Sequence, residues 1–388
     1  MSYPSVARRM QSIAPFRVMD ILAQAQQLAR TGRDVVHMEV GEPDFPAPAQ
    51  INEAARAALA AGETHYTPAL GIQPLREAIA GYYRERFGVA VDPRRVLITP
   101  GASGALQLIL GVLVDPHDEV LLQDPGYPCN RHMIGMYGGR SRALPAMPQG
   151  FDAARAVSAL GESAGMMLAT PANPTGEVIP VDGLRVVYRA LNAAHRFLIV
   201  DEIYQGLQYD SPVRTALELG EEGLFVINSF SKYFGMTGYR IGWAVVPEPF
   251  VEPIERLAQN LFLSPPTVAQ HAALAAFTPD VMQELERRRA IFEARRNLLY
   301  EGLQSQGFGM HGARPNGAFY VYAGIDGLGW DDAEAFAREL LERHAVAVTP
   351  GIDFGFQDTA RHVRFAYTTE ESRIAEGLER MARFIGTR

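Results

Sequence analysis

Residues 224 to 246 read Leu-Phe-Val-Ile-Asn-Ser-Phe-Ser-Lys-Tyr-Phe-Gly-Met-Thr-Gly-Tyr-Arg-Ile-Gly-Trp-Ala-Val-Val, two apolar runs joined by a more polar loop. The apolar runs have the length and composition of buried β-strands. The loop contains Ser229, Ser231 and Lys232, and Arg240 opens the second run. Hydroxyls, an amine and a guanidinium held together suit a phosphate bound beside an amine. Taken alone, these residues also suit an ordinary solvent-exposed loop.

Similar short apolar runs alternate with longer amphipathic stretches from about residue 70 onward, which is typical of βα units. The predicted strands are 96–99, 119–123, 165–169, 197–200, 224–227 and 241–246. The pattern therefore predicts an α/β fold with a largely parallel sheet. Because open α/β sheets bind ligands at the carboxyl ends of their strands, the polar residues that follow these runs are candidate site residues.

Helical patterns and a second group of elements extend this organisation. A helix is predicted to begin near Gln73, and a long helix to span 281–305. Five arginines between 287 and 296 stand among glutamates, and this mixed-charge pattern predicts a solvent-exposed face. Strands at 317–322, 346–349 and 363–366 and a helix at 332–343 then predict a smaller C-terminal domain.

Composition argues against several classes of protein. The formal net charge of −8 gives no reason to expect nucleic acid as a partner, because nucleic-acid binders concentrate Lys and Arg on one face. No apolar stretch approaches the roughly 20 residues of a membrane span, and the first residues lack the apolar core of a signal peptide. Cys129 is the single cysteine, which excludes a disulfide framework within the chain and leads us to expect a cytoplasmic location. No metal site is expected, since motifs such as H-E-x-x-H are absent.

An acidic residue ends another predicted strand. Asp201 follows the apolar run 197–200, so its carboxylate needs a cation or hydrogen-bond donors. A protonated pyridine nitrogen would supply the cation, and Tyr204 could donate its hydroxyl to an oxygen on the same ring. A helix cap is the alternative role for Asp201.

The sequence Gly101-Ala102-Ser103-Gly104 follows the first predicted strand and precedes the apolar stretch 105–114. Backbone N–H groups at the start of a helix accept phosphate, although a tight strand-to-helix turn also requires small residues. The G-x-G-x-x-G fingerprint of a dinucleotide-binding fold is absent here.

Three further side chains are candidates for binding a ligand. Tyr127 and Asn173 stand in proline-flanked loops at strand ends, and Arg364 lies inside the apolar run 362–366. An arginine in such a run is either a surface residue on an edge strand or a buried receptor that binds a carboxylate bidentately. The spacing leaves both interpretations open.

Taken in order along the chain, these motifs resemble those of the class I/II aminotransferases, enzymes of pyridoxal 5′-phosphate (PLP) fold-type I. The resemblance rests on Asn173-Pro174-x-Gly176, Asp201-x-x-Tyr204, Ser229-x-Ser231-Lys232 and Arg240, and it extends from Gly41-Glu42-Pro43-Asp44-Phe45 and Tyr66-Thr67-Pro68 to Arg364. It implies a three-layer αβα large domain at 46–281 with a mostly parallel central sheet. It further implies a smaller α+β domain at 16–45 and 282–388, and an N-terminal arm at 1–15.

The resemblance also implies a role for each residue around the cofactor ring. Lys232 resembles the lysine that carries PLP as a Schiff base, and Asp201 resembles the partner of the pyridine nitrogen. Tyr204 and Asn173 resemble the donors to the ring oxygen. Tyr127 resembles the aromatic residue that stacks on the ring.

Phosphate and substrate contacts follow from the same resemblance. The implied phosphate-binding residues are Ala102, Ser103, Ser229, Ser231 and Arg240, joined by Tyr66 from the other subunit of a homodimer with shared active sites. The implied receptor for the substrate α-carboxylate is Arg364, with Gly41 and Asn173 in the same pocket.

The implied reaction moves an amino group from an L-amino acid to a 2-oxo acid with ping-pong kinetics, and Lys232 removes the proton from Cα. We expect aspartate or a broad range of donors, with 2-oxoglutarate as acceptor. Arg131 is a candidate for binding a second carboxylate, or else a surface residue.

Other functions share these motifs. A PLP-dependent carbon–sulfur β-lyase, and more distantly a synthase or decarboxylase, would keep the same lysine, aspartate and arginine. A PLP-sensing transcription regulator would need an N-terminal DNA-binding segment, and only 40 residues precede Gly41.

Overall fold

A seven-stranded sheet with helices on both faces forms the centre of the computed structural model, which describes residues 3–147 and 150–386. The strands are β1 Val36–His37, β2 Val96–Thr99, β3 Glu119–Asp124, β4 Arg140–Pro145, β5 Gly165–Ala169, β6 Phe197–Asp201, β7 Leu224–Ser229, β8 Gly242–Val245, β9 Gly309–Met310, β10 Tyr320–Gly324, β11 Val346–Ala347, β12 Thr349–Pro350 and β13 His362–Ala366. The order in the large sheet is β2-β8-β7-β6-β5-β3-β4. All neighbours are parallel except at β8, which is antiparallel to both β2 and β7.

Helices cover the large sheet and extend beyond it. They are α1 Arg17–Arg30, α2 Ala49–Ala60, α3 Gln73–Phe87, α4 Gly101–Leu113, α5 Cys129–Met136, α6 Ala153–Ser158, α7 Val181–Ala193, α8 Val251–Leu261, α9 Thr267–Leu274, α10 Pro279–Ser305, α11 Ala333–His344 and α12 Glu371–Gly386. Alternate residues of β6 enter different cores: Leu198 packs in one cluster with α7, and Ile199 in another with α4 and α8. Burial on both faces explains why the strands read as continuous apolar runs.

The six strands predicted for the large sheet are all present, with bounds that differ by at most two residues. The sequence analysis did not predict β4, at the edge of the sheet beside β3. Only Leu144 of this strand is fully buried, and its sequence is Arg-Ser-Arg-Ala-Leu-Pro. The strand therefore lacks the continuous apolar run of a central strand.

A smaller antiparallel sheet has the order β12-β13-β10-β9, and β1 pairs in parallel with β11. The long helix α10 carries the arginines between 287 and 296, and the prediction of a solvent-exposed face was wrong for two of them. Arg295 is 4% exposed and binds the Asp44 carboxylate bidentately at 2.8 and 2.9 Å. Arg296 is 0% exposed, and its Nη1 donates to Asp210 Oδ2 at 2.5 Å. The mixed-charge pattern failed here because both acidic partners lie far away in the sequence.

We propose to keep the domain division expected from the sequence. The seven-stranded sheet lies within 96–245, inside the large domain at 46–281. The smaller sheets use only residues 36–37 and 309–366, which fall in the small domain at 16–45 and 282–388. Residues 1 and 2 of the proposed arm at 1–15, and residues 387 and 388 of the small domain, lie outside the described residues.

The topology places the candidate motifs at one edge of the large sheet. The parallel strands β5, β6 and β7 end near Asn173, Asp201 and Lys232 respectively. Because β8 runs antiparallel, the residues that precede it, including Arg240, lie at the same edge. Strand direction alone therefore brings residues from separate loops together.

Candidate active site

A cavity of about 200 Å³ opens at this edge between the large sheet and the smaller one. The residues predicted from the sequence that line it are Gly41, Ala102, Ser103, Tyr127, Asn173, Asp201, Tyr204, Lys232 and Arg364. Ser229, Ser231 and Arg240 adjoin this cavity at the loop that carries Lys232. Tyr66 does not line it and is 80% exposed, beside Pro100 and Phe262 in a separate groove.

The side chain of Lys232 lines the cavity. Its Nζ donates to the Gly41 carbonyl oxygen at 2.5 Å, and it lies 5.9 Å from the centre of the Tyr204 ring. Burial, aided by the positive charges of Arg364 and Arg240, lowers the pKa of this amine from 10.5 to about 8. The neutral amine that a nucleophile or base requires is therefore about a tenth of the total at pH 7, far more than at the usual pKa of 10.5.

Asp201 ends β6 and faces the same cavity. Its Oδ1 accepts a hydrogen bond from the Ile203 backbone N–H at 3.0 Å, which is a local turn contact and not the predicted alternative of a helix cap. Burial raises the pKa of the carboxyl to about 6, against the opposing effects of Ile203 and Lys232. Within residues 3–147 and 150–386 this carboxylate forms no ion pair, so it could accept a cationic N–H from a ligand.

A group of hydroxyl, guanidinium and backbone donors, which we call the anion cup, adjoins Lys232. The Ser231 N–H donates to Ser229 Oγ at 3.1 Å, and Arg240 Nη1 lies 3.5 Å from Ser231 Oγ. Arg240 reaches the start of α4, because a Cβ added at Gly101 would lie 2.7 Å from Arg240 Nη2. Two hydroxyls, a guanidinium and the N-terminus of a 13-residue helix are thus brought together. This set has the chemistry of a phosphate site.

Tyr204 forms a pair with Tyr320, a residue that the sequence analysis missed. The two hydroxyl oxygens lie 2.8 Å apart, and both rings are buried. Burial raises the pKa of each phenol, so both hydroxyls stay protonated; one donates to the other, and the second is left to donate elsewhere. Tyr320 also requires a glycine at 41, because a Cβ there would lie 1.7 Å from its hydroxyl oxygen. It lies on a predicted strand, two residues from Tyr322, which pairs with Arg364, so it could have been suggested only once the pairing of β10 with β13 was known.

Arg364 is a buried residue and not the surface residue of an edge strand. It lies on β13 between β10 and β12 and is 2% exposed. Its Nη1 donates to Asn173 Oδ1 at 3.0 Å, and its Nη2 donates to the Glu39 carbonyl oxygen at 2.6 Å. The guanidinium carbon lies 4.3 Å from the centre of the Tyr320 ring. These contacts fix a cation at the cavity wall while its Nε has no partner among the described residues.

Two remaining candidates have different positions. Tyr127 lines the cavity, and the ring of Phe16 meets it edge to face at 6.2 Å. Arg131 lines a small neighbouring pocket instead of the cavity. Its Nη2 donates to the Asp353 carbonyl oxygen at 2.9 Å, and its guanidinium stacks on Phe356.

One sequence signal was overlooked. Lys232 is the only lysine among the 388 residues. Any chemistry that needs a lysine amine in this chain must therefore use Lys232.

Other kinds of site find no support in the geometry. Among the described residues, no group of three His, Cys, Asp or Glu side chains is placed to hold a metal ion. In the same part of the chain, no helix has the length and apolar character needed to cross a membrane.

The fold and this cavity define an α/β enzyme that holds a reactive amine beside a carboxylate and receptors for anions. Residues 33–381 match the family described as aminotransferase class I and II. The chain is 37% identical over 380 residues to valine–pyruvate aminotransferase of Mycobacterium tuberculosis, covering 96% of this chain and 97% of that protein. It is 35% identical over 387 residues to aspartate/prephenate aminotransferase of Thermus thermophilus, covering 98% and 99%. The crystal structure of an aminotransferase from M. tuberculosis is similar with a TM-score of 0.95, at 36% identity and with 100% of both chains covered.

The chain therefore belongs to the class I and II aminotransferase family. It is a transaminase, an enzyme of the transferase class, and its α/β fold with a mostly parallel central sheet is confirmed. Enzymes of this family use PLP as their cofactor. The residues present fit that group: the single lysine, the unpaired carboxylate of Asp201 and the anion cup beside Gly101 match its aldehyde, ring nitrogen and phosphate.

Proposed function

We propose that this transaminase binds PLP through Lys232 and transfers an amino group from an L-amino acid to a 2-oxo acid by a ping-pong mechanism. The observation that carries the proposal is the placement of the only lysine in the cavity, with its pKa lowered to about 8, close to both Asp201 and Arg364. Amine chemistry in this chain has no other lysine available.

The cofactor would be held by groups that the structure brings to one edge of the sheet. Asp201 would bind the pyridine nitrogen, and Tyr204 and Asn173 would donate to the ring oxygen. Tyr127 would stack on the ring. The phosphate would be bound by Ala102, Ser103, Ser229, Ser231 and Arg240. When bound, PLP supplies an electron sink that stabilises negative charge at the substrate Cα.

The remaining steps belong to side chains of this protein. Arg364 would bind the substrate α-carboxylate, with Gly41 and Asn173 beside it, and so orient the Cα–H bond. Lys232 Nζ would accept the Cα proton and deliver it again as general acid. Tyr204 and Tyr320, held protonated by burial, would donate one O–H within the pair and keep the other fixed as a hydrogen-bond donor on one side of the cavity.

The assembly and location of the enzyme complete the proposal. Tyr66 is exposed and outside the cavity of its own chain, which supports the expectation that it reaches the phosphate of a neighbouring subunit in a homodimer with shared sites. A cytoplasmic location is proposed from the single, half-buried Cys129.

A carbon–sulfur β-lyase would use the same residues, and one experiment separates the two reactions. Holoenzyme is mixed with no 2-oxo acid acceptor and an excess of an amino acid that carries a sulfur leaving group on Cβ. A transaminase releases at most one equivalent of 2-oxo acid per chain and stops, whereas a lyase continues and releases ammonia. Adding an acceptor should then restore turnover, with parallel lines in double-reciprocal plots.

A further inference from the structure

One wall of the cavity is apolar and has no part in binding the cofactor or the α-carboxylate. It is formed by Phe16 and Met19 at the start of α1, Leu106 on α4 and Met133 on α5. Leu106 is 4% exposed, and Met133 packs against the same hydrophobic cluster. We call these four side chains the apolar wall.

Each charged residue that lines the cavity already has a role in the proposed function. Among the described lining residues only Asp201, Lys232 and Arg364 are charged. Asp201 is assigned to the ring nitrogen, Lys232 to the cofactor and Arg364 to the α-carboxylate. No cation of this chain is then left in the cavity for a second carboxylate.

Arg131 does not supply the missing cation. Its guanidinium is held by the Asp353 carbonyl oxygen and the Phe356 ring, and it lines the neighbouring pocket. Asn130 is a neutral polar residue of the cavity lining and is 7% exposed, with its Oδ1 buried and unpartnered among the described residues. A neutral amide cannot balance the charge of a carboxylate brought out of water.

We infer that the substrate side chain lies against the apolar wall, and that the enzyme prefers amino acids and 2-oxo acids with neutral aliphatic or aromatic side chains. This inference rests on the proposed function. It differs from the expectation of aspartate and 2-oxoglutarate, since a second carboxylate would be buried here without a cation from this chain, whereas a leucine or phenylalanine side chain gains from leaving water.

A panel of donors and acceptors tests the inference. We expect kcat/KM for leucine, valine or phenylalanine to exceed that for aspartate or glutamate by roughly tenfold or more, and pyruvate to be a better acceptor than 2-oxoglutarate. Equal or higher values for the dicarboxylates would overturn it. If no amino acid is converted at all, the proposed function itself fails.

Binding of unreactive probes separates these two failures. Calorimetry on the holoenzyme with 4-methylvalerate and with succinate needs no turnover. The inference requires that 4-methylvalerate bind more tightly, and tighter binding of succinate would contradict it even in an inactive protein.

A charge placed in the apolar wall gives a matched test. Met133→Lys should lower the ratio of leucine to aspartate kcat/KM by roughly tenfold, because an ammonium then faces the substrate side chain. Met136→Lys adds the same charge on α5, on an exposed side chain outside the cavity, and should leave the ratio unchanged. Met133→Leu should also retain the apolar preference. An unchanged ratio in a folded Met133→Lys enzyme would show that the apolar wall does not contact the substrate.

Discussion

Removal of the Arg364 side chain should separate substrate binding from cofactor binding. Arg364 carries five N–H donors, and Asn173, Glu39 and Thr349 occupy three of them. Nε–H has no partner, and Nη2, on the same edge of the guanidinium, makes only a long contact of 3.4 Å with Thr349 that a substrate carboxylate would replace. Nε–H and Nη2–H can then bind both oxygens of the carboxylate. At roughly 1.5 to 3 kcal/mol for each charged hydrogen bond, Arg364→Ala should cost about 3 to 6 kcal/mol of substrate interaction.

That loss corresponds to a reduction of roughly 10² to 10⁴ in kcat/KM for the amino acid. The affinity for PLP should fall far less than this, because Asn173 is the only proposed cofactor-binding residue to which Arg364 donates a hydrogen bond, and Arg364 contacts neither Asp201 nor the anion cup. Steady-state kinetics gives the first quantity, and titration of the cofactor-free protein with PLP gives the second.

Two controls protect the interpretation. Arg364→Ala leaves Asn173 Oδ1 and the Glu39 carbonyl oxygen without this donor, so thermal unfolding must show that the variant is folded at the assay temperature. Arg131→Ala removes a guanidinium that lies outside the cavity and should leave kcat/KM within a few-fold of the parent. Equal losses of substrate and cofactor binding in Arg364→Ala would mean that Arg364 has a structural role only.

Three further outcomes follow from burial and charge. Burial raises the pKa of Asp201 from its usual 3.8 to about 6, so its contribution to folding stability is complete below pH 3.8 and is lost as the pH rises through 6. Asp201→Asn has no charge to bury and should therefore stabilise the cofactor-free protein at pH 7 by up to about 3 kcal/mol, as measured by chemical denaturation. The same variant should greatly lower activity. Attachment of PLP requires a neutral Lys232 amine, so its rate in stopped-flow absorbance should rise about tenfold per pH unit below pH 8 and level off above it; a flat profile would contradict the lowered pKa. Gly41→Ala should displace Tyr320 and destabilise the fold by about 1 to 3 kcal/mol, whereas Gly81→Ala, with open space around it on α3, should be neutral or slightly stabilising.

The sequence was most informative where a feature is local in the chain. The central strands were predicted because burial on both faces makes them continuous apolar runs, as in β6 and β7. Lys232, Asp201 and Asn173 were found because each follows such a strand, and parallel strands direct their carboxyl ends to one edge.

Features that depend on distant partners were not accessible in the same way. Arg296 looked like a surface charge on α10, and its partner Asp210 lies 86 positions away. Tyr320 has no motif of its own, and its importance arises from the close approach of Gly41 and from the hydroxyl of Tyr204. The choice between a surface and a buried Arg364 likewise depended on the pairing of β13 with strands on both sides.

The most direct measurement of the central claim uses the fact that Lys232 is the only lysine in the chain. PLP-loaded enzyme is reduced with borohydride, digested and mapped by mass spectrometry. The account predicts one pyridoxyl group per chain on the peptide that contains Lys232, and none in a folded Lys232→Ala variant, which should also be inactive. A label confined to another site, or transaminase activity that survives Lys232→Ala, would contradict it.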